Sequence, residues 1–130
     1  MPKQTFLHVI IPQGAEGQKK LESKFEELLL NLRNTVTGER FSFEYFGYQQ
    51  HTYFFVVCNA NFRETIEGLI YSTFPDAEIN AASDYTASFD PEKLAIAGAS
   101  LKLLEKDVYP VRSHEQFEED SMSRLFSVIS

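Results

Sequence analysis

The stretch RFSFEYFGYQQHTYFFVVC, residues 40–58, decides the fold. Its first part, residues 40–46, alternates aromatic side chains with small or charged ones, which is the period-two pattern of a β-strand. Its last part, residues 51–58, is a continuous β-branched and aromatic run, typical of a second strand. The intervening residues 47–50 are few enough to close a hairpin, so the stretch predicts two adjacent antiparallel strands.

Apolar residues recur at helical or strand spacing both before and after this hairpin in the sequence. Four further elements are expected: a strand over residues 5–11, a helix over 17–35, a helix over 61–74 and a weaker extended segment over 77–89. Asn61 is expected to cap the second helix and Pro75 to end it. The order β-α-β-β-α-β is that of the ferredoxin-like split motif, so we expect an α+β domain with both helices on one face of a four-stranded antiparallel sheet.

The strand over residues 51–58 is apolar on both faces, whereas a sheet with one solvated face needs only one apolar set. One alternate set is expected to lie beneath the helices. The other set, Tyr53, Phe55 and Val57, is the predicted interaction face. Uncovered, it would leave on the order of several hundred Å² of apolar surface in water. We therefore expect the chain after Asp90, a second copy of the chain or another domain to cover it.

Residues 1–90 are expected to form the core, and residues 91–130 an extension packed on the same domain. Residues 94–104, LAIAGASLKLL, are expected to add a fifth strand, with Gly98 permitting a bend, and an acidic loop follows. The last predicted element is a helix over residues 121–129 that needs burial on its own sheet or on a neighbouring copy. Its predicted interaction stripe, at helical spacing, consists of Met122, Leu125, Phe126 and Ile129.

The residues carry no recognisable catalytic machinery. The 6 glycines are scattered and no Gly-Lys-Ser/Thr triplet occurs, so a phosphate-binding loop is missing from the sequence. The single cysteine, Cys58, lies in an apolar run and is expected to be buried, and the 3 histidines are not at metal-ligand spacing. Residues 12–15 lack the arginine by which acylphosphatase, an enzyme with the same element order, binds its anion. We expect no enzymatic activity, no cofactor and no metal.

The charge distribution argues against nucleic acid as a direct partner. The formal net charge is −7, and residues 61–130 hold 13 acidic against 6 basic side chains. RNA-recognition domains stack bases on aromatic residues of this same fold, but the Lys/Arg-Gly opening of their third strand is missing from residues 50–52. No run of the sequence is long and apolar enough to span a membrane, and the first residues lack the layout of a secretion signal. A cytoplasmic location is therefore expected.

Several local phrases of the sequence occur together in one known group of proteins. The phrases are FSFE (41–44), IEGLIY (66–71), FPDAEI (74–79), AGASLKL (97–103) and YP (109–110). This series resembles the region ahead of the motor in conjugation and type IV secretion ATPases of bacteria. The likeness extends over most of residues 5–129, and its motifs are structural rather than catalytic.

The resemblance implies a cytoplasmic pre-motor domain of a membrane-associated ATPase that moves DNA or protein. The phosphate-binding motor itself is missing from these residues, and in such relatives it would follow residue 130. The leading hypothesis is thus a non-catalytic assembly module whose partner is protein, either itself or the remainder of a larger ATPase. The alternatives are a free-standing ferredoxin-like protein that forms a homodimer or binds a small ligand and, less favoured, an RNA- or single-stranded-DNA-binding module.

Overall fold

The computed structural model describes residues 3–12, 18–102, 104 and 127–129 of the chain. Its elements, in order, are β1 (Gln4–Ile10), α1 (Gln18–Thr35), β2 (Ser42–Tyr48), β3 (His51–Asn59), a 3-10 turn (Ala60–Phe62), α2 (Arg63–Thr73), β4 (Glu78–Ala82) and a second 3-10 turn (Tyr85–Ser88). The six elements expected from the sequence for the first 90 residues are therefore present and follow the predicted order.

The four strands form one antiparallel sheet in the order β2-β3-β1-β4. β3 and β1 are the inner strands, and β2 and β4 lie at the two edges. The two helices each connect one strand to another that lies elsewhere in the sheet, as the split β-α-β motif requires. The prediction of an α+β fold with a four-stranded antiparallel sheet is confirmed.

The hairpin between β2 and β3 is tighter than the sequence suggests. Tyr48 pairs with His51, so the turn consists of Gln49 and Gln50 alone, with φ angles of 48° and 64°. Positive φ at both central residues is the backbone of a type I′ turn, whose twist matches that of the flanking strands. Asparagine and glycine are the residues that usually predict such a turn. Because two glutamines do not, the sequence suggests a longer connection over residues 47–50.

The helices α1 and α2 cover one face of the sheet. The largest fully buried side chains come from both layers: Leu7, Val56, Leu28, Leu32, Ile66 and Ile70. Leu28 and Leu32 are four residues apart on α1, as are Ile66 and Ile70 on α2, so each pair lies on one face of its helix. Because Val56 faces the helices and successive strand residues alternate, Phe55 and Val57 lie on the opposite face of the sheet.

The start of α2 differs from the prediction that Asn61 caps it. The chain first makes the 3-10 turn Ala60–Phe62, and the side chain of Asn59 accepts a 3.0 Å hydrogen bond from the Asn61 amide. Asn59 therefore caps the 3-10 turn that leads into α2, and Asn61 lies within that turn. Two asparagines two positions apart give the same local signal, so periodicity alone does not distinguish them. Pro75 ends the helix nearby as expected, since α2 stops at Thr73.

The region after the sheet core requires two corrections. β4 ends at Ala82, and the chain then turns at Asp84 into the 3-10 turn Tyr85–Ser88 rather than remaining extended to residue 89. The expected fifth strand is wrong for the described residues 94–102 and 104, which adopt no strand and are exposed. An apolar run forms a strand only where a sheet edge accepts its backbone hydrogen bonds, and these residues do not pair with the sheet.

Candidate interaction site

The face of the sheet opposite the helices, hereafter the outer sheet face, is lined mainly by aromatic side chains. The strand registers place Phe6 opposite Val57, His8 opposite Phe55 and Phe46 opposite Tyr53. His8 lies between two rings, with centroids 5.5 Å from Tyr53 and 5.3 Å from Phe55. The middle of this face is therefore aromatic rather than polar as in a typical solvated sheet, with Glu44 of β2 and Asn80 of β4 beside it.

A short segment that follows β4 crosses this face. The segment, residues 84–89, is hereafter the aromatic strap, because Tyr85 and Phe89 are its contacts with the sheet. The ring of Tyr85 stacks on Phe46 at 4.6 Å and on Phe55 at 5.1 Å, and meets Phe6 edge-on at 6.3 Å. Phe89 meets Phe46 edge-on at 5.7 Å, so the strap reaches the edge strand β2.

A hydrogen bond joins the strap to the sheet. The hydroxyl of Tyr85 donates a 2.7 Å hydrogen bond to Oε2 of Glu44, and the other carboxylate oxygen of Glu44 accepts a 2.9 Å bond from the hydroxyl of Ser42. Burial of the ring raises the pKa of Tyr85 to about 12, and the hydrogen bond and charge of Glu44, with a smaller contribution from Asp84, act in the same direction. The phenol is therefore held protonated as a donor to Glu44.

The strap covers part of the predicted interaction face. Phe55 is 6% exposed and Val57 is 5% exposed, whereas Tyr53 is half-buried. The expectation that both faces of β3 are shielded is confirmed for Phe55 and Val57. Tyr85, which stacks on Phe55, precedes Asp90, so the cover expected from the chain after Asp90 comes instead from the residues just before it.

The sequence pattern does not reveal Tyr85 and Glu44 as a pair. Tyr85 lies in the segment predicted to be extended, over residues 77–89, although Asp84 followed two positions later by Thr86 is a turn signal. In the structure the Asp84 side chain accepts a 2.9 Å bond from the Thr86 amide, which starts the 3-10 turn. That local signal could have ended β4 earlier. No local pattern connects Tyr85 to Glu44, which is 41 residues away.

Of the helix predicted over residues 121–129, the structure describes residues 127–129. Residues 127–129 are helical, and Ile129 is half-buried. A side chain on Gly47 of β2 would clash with the carbonyl of Ile129, so the last turn packs directly against this glycine. Gly47 lies on the helix-covered side, opposite in orientation to Phe46. The other predicted stripe residues, Met122, Leu125 and Phe126, lie outside the described residues.

The most exposed apolar side chains follow the strap. Leu101 is 100% exposed, Leu104 is 99% exposed and Ile96 is 71% exposed, and Leu94 is half-exposed. These four residues are hereafter the apolar segment. Exposed large apolar groups that cluster along one stretch usually mark a surface that another protein covers.

The described residues hold no group of three or more potential metal ligands, and none of their helices could cross a lipid bilayer. Cys58 is buried as predicted, and burial, with a smaller effect of Glu67, raises the pKa of its thiol. Nearby Arg63 opposes this rise and forms a 2.8 Å ion pair with Glu67. A raised pKa leaves the thiol protonated and unreactive at neutral pH.

Comparison of the chain with protein-family models, with curated proteins and with solved structures finds no match.

Proposed function

We propose that this domain is a non-catalytic assembly module that precedes the motor of a conjugation-type or type IV secretion ATPase. The apolar segment is the observation that carries the proposal, since Leu101 and Leu104 are almost fully exposed. Each Å² of apolar surface in water costs roughly 25 cal/mol, so a stretch of this kind favours burial against another protein. A partner surface, rather than a small substrate, is the ligand that suits it.

The family resemblance supports the same assignment independently of the apolar segment. The phrase AGASLKL, residues 97–103, includes Leu101 of the apolar segment. The phrase FPDAEI, residues 74–79, covers the connection between α2 and β4. Neither phrase has the residue spacing of a catalytic motif, and both fit parts of a scaffold. In the proposed full-length protein the domain is cytoplasmic, beside the inner face of the membrane, and needs no cofactor of its own.

The polar side chains of the domain support a structural role. Glu44 accepts bonds from Tyr85 and Ser42, and Arg63 is paired with Glu67. Catalytic acids and bases usually lie in a cleft with their pKa shifted towards the operating pH. The shifts at Tyr85 and Cys58 go upward, away from neutrality, and arise from packing.

A binding experiment with the motor ATPase of the same locus tests the proposal. Tagged domain is co-expressed with the motor, and the amount of motor retained is compared between the wild type and the double variant Ile96→Ser/Leu101→Ser. We expect retention by the wild type and at least a tenfold loss in the double variant. The matched control is Leu30→Ser, a half-exposed leucine on α1, which should retain the motor. Equal retention by all three proteins, or by none, would contradict the proposal.

A free-standing ferredoxin-like homodimer is the second candidate, because a second copy could also cover the apolar segment. Light scattering after gel filtration separates the two. The assembly module is expected to be monomeric alone and to bind the motor, whereas the alternative predicts a dimer that dissociates when Leu101 is replaced by serine.

The nucleic-acid alternative is less favoured. Tyr85 stacks on Phe55 and Phe46, and so occupies part of the ring surface on which bases would stack. Glu44 and Asp84 add negative charge beside it. A gel-shift titration with single-stranded DNA and RNA at low salt is expected to show no complex.

A further inference from the structure

The contacts between the aromatic strap and the sheet are made by side chains and are few. Tyr85 and Phe89 contact the sheet, whereas the three residues between them, Thr86, Ala87 and Ser88, are exposed. Among the described residues, the bond from Tyr85 to Glu44 is the polar link between strap and sheet. Within the part of the chain that the structure describes, lifting the strap therefore breaks this hydrogen bond and the ring contacts of Tyr85 and Phe89.

The strap makes its other hydrogen bonds within itself. The amide of Ala87 donates to the carbonyl of Asp84, and the amide of Phe89 to that of Thr86, both at 3.3 Å. The Ser88 hydroxyl donates a 2.6 Å bond to the carbonyl of Tyr85. These bonds move with the strap, so its displacement leaves no strand of the sheet with a lost backbone partner. A segment that shares no backbone bonds with the core can open locally without global unfolding.

Both ends of the strap are joined to exposed chain. Ser83, directly after β4, is exposed, and on the other side Asp90 and Lys93 form a local turn with a 3.0 Å backbone bond and a 3.6 Å ion pair. The described residues beyond that turn are exposed as well. Apart from the covalent connection to β4 through Ser83, no backbone hydrogen bond among the described residues holds either end of the strap against the sheet.

We infer that the aromatic strap is a local cover of the outer sheet face, which opens while the rest of the domain stays folded, and that the Tyr85–Glu44 hydrogen bond holds it closed. In the closed state Phe55 and Val57 are buried. In the open state these two residues and Phe46 form an exposed apolar face together with Tyr53 and His8.

A tryptophan placed at position 89 reports the opening, because the chain has no native tryptophan. In Phe89→Trp, strap position is read from the emission maximum and acrylamide quenching, and the fold from far-UV circular dichroism, along one urea titration. We expect the tryptophan transition at lower urea than the loss of helix and strand signal. Adding Tyr85→Phe removes the donor and keeps the ring, and should lower the closed-to-open ratio about fivefold, which corresponds to roughly 1 kcal/mol for one hydrogen bond.

The controls separate a local cover from a part of the core. Thr86→Ala, in the same strap but directed to Asp84, should leave the tryptophan transition unchanged. If Phe89→Trp disturbs the fold, Tyr85→Ala in the otherwise native chain replaces it, with dye binding by 8-anilinonaphthalene-1-sulfonate as the readout. That variant should bind the dye while its circular dichroism is unchanged. Coincident transitions in every tryptophan variant, or no dye binding by folded Tyr85→Ala, would overturn the inference.

Discussion

The hydroxyl of Tyr85 lies 2.7 Å from Oε2 of Glu44 and joins residues 41 positions apart in the chain. Glu44 lies on the edge strand β2, whereas Tyr85 follows β4 at the other edge. The chain after β4 therefore crosses the outer sheet face, and this bond holds it beside β2. Stacking of Tyr85 on Phe55 and Phe46 makes the middle of that face part of the interior.

The raised pKa of Tyr85 predicts a loss of stability in alkaline solution. Its pKa is about 12 in the folded chain, against 10.0 for an unperturbed tyrosine. Because the folded state holds the proton more tightly, this stabilisation is fully present below about pH 10 and is lost as the pH rises towards 12. Urea denaturation of the wild type and of Tyr85→Phe measures it. The free energy of unfolding should fall more steeply between pH 10 and 12 in the wild type.

The comparison with Tyr85→Phe removes the contribution of the other tyrosines, which both proteins share. If the two proteins lose stability in parallel above pH 10, Tyr85 ionises as freely in the folded chain as in the unfolded one. The hydrogen bond to Glu44 would then contribute nothing to the position of the strap.

Gly47 is predicted to be required for docking of the terminal helix. In Gly47→Ala the new methyl group would clash with the carbonyl of Ile129, so the last helical turn must move away from β2. We expect faster proteolytic cleavage near the C-terminus and faster amide exchange at residues 127–129, with the circular dichroism of the sheet and of α1 and α2 preserved. Mass spectrometry of the fragments measures both effects.

Gly68 supplies the matched control for this substitution. It is an exposed glycine on α2, and a methyl group there meets no atom within 4 Å. Gly68→Ala should stabilise the domain by up to about 1 kcal/mol through helix propensity, without a change at the C-terminus. Equal C-terminal protection in Gly47→Ala and the wild type would show that Ile129 does not rest on Gly47 in solution.

The stability of the domain is predicted to depend on the helix-covered core and not on the apolar segment. Leu32 is fully buried, so Leu32→Ala should cost about 2–5 kcal/mol. Leu101 is fully exposed, and Leu101→Ser should change the free energy of unfolding by less than about 0.5 kcal/mol. Urea denaturation at neutral pH checks both. A large loss in Leu101→Ser would mean that the segment packs within its own domain.

The fold was predictable because its signals are local. The alternation over residues 40–46 and the helical spacing of Leu28 and Leu32 each need only a few neighbouring residues. The burial of both faces of β3 was predictable for the same reason, because its side chains are apolar on both faces. The nature of the cover could not be predicted, because the contact between Tyr85 and Glu44 depends on the register of the whole sheet.

In the region after β4, composition and periodicity do not predict which surface the apolar residues contact. Residues 94–104 carry as much apolar character as a strand, but composition does not say whether a run is buried in its own domain or against another surface. The terminal stripe is a similar case. Spacing places Ile129 on one face with Met122, but the close approach to Gly47 follows from the position of β2 in the sheet.

The missing phosphate-binding loop predicts that this domain alone does not bind ATP. Isothermal titration calorimetry with Mg-ATP should show no heat above that of dilution at up to millimolar nucleotide. A saturable site of micromolar affinity would contradict the non-catalytic assignment. Serial dilution of an unrelated ATPase under the same conditions confirms the sensitivity of the instrument.

The reading frame beyond the codon for Ser130 shows whether this domain precedes a motor. A pre-motor domain of a conjugation-type ATPase must be followed by its motor, whose phosphate loop has the pattern G-x-x-x-x-G-K-[ST]. Sequencing of the transcript through this position should find that pattern downstream in the same frame. A transcript that encodes no phosphate loop after this domain would contradict the proposed function and leave the free-standing homodimer as the better account.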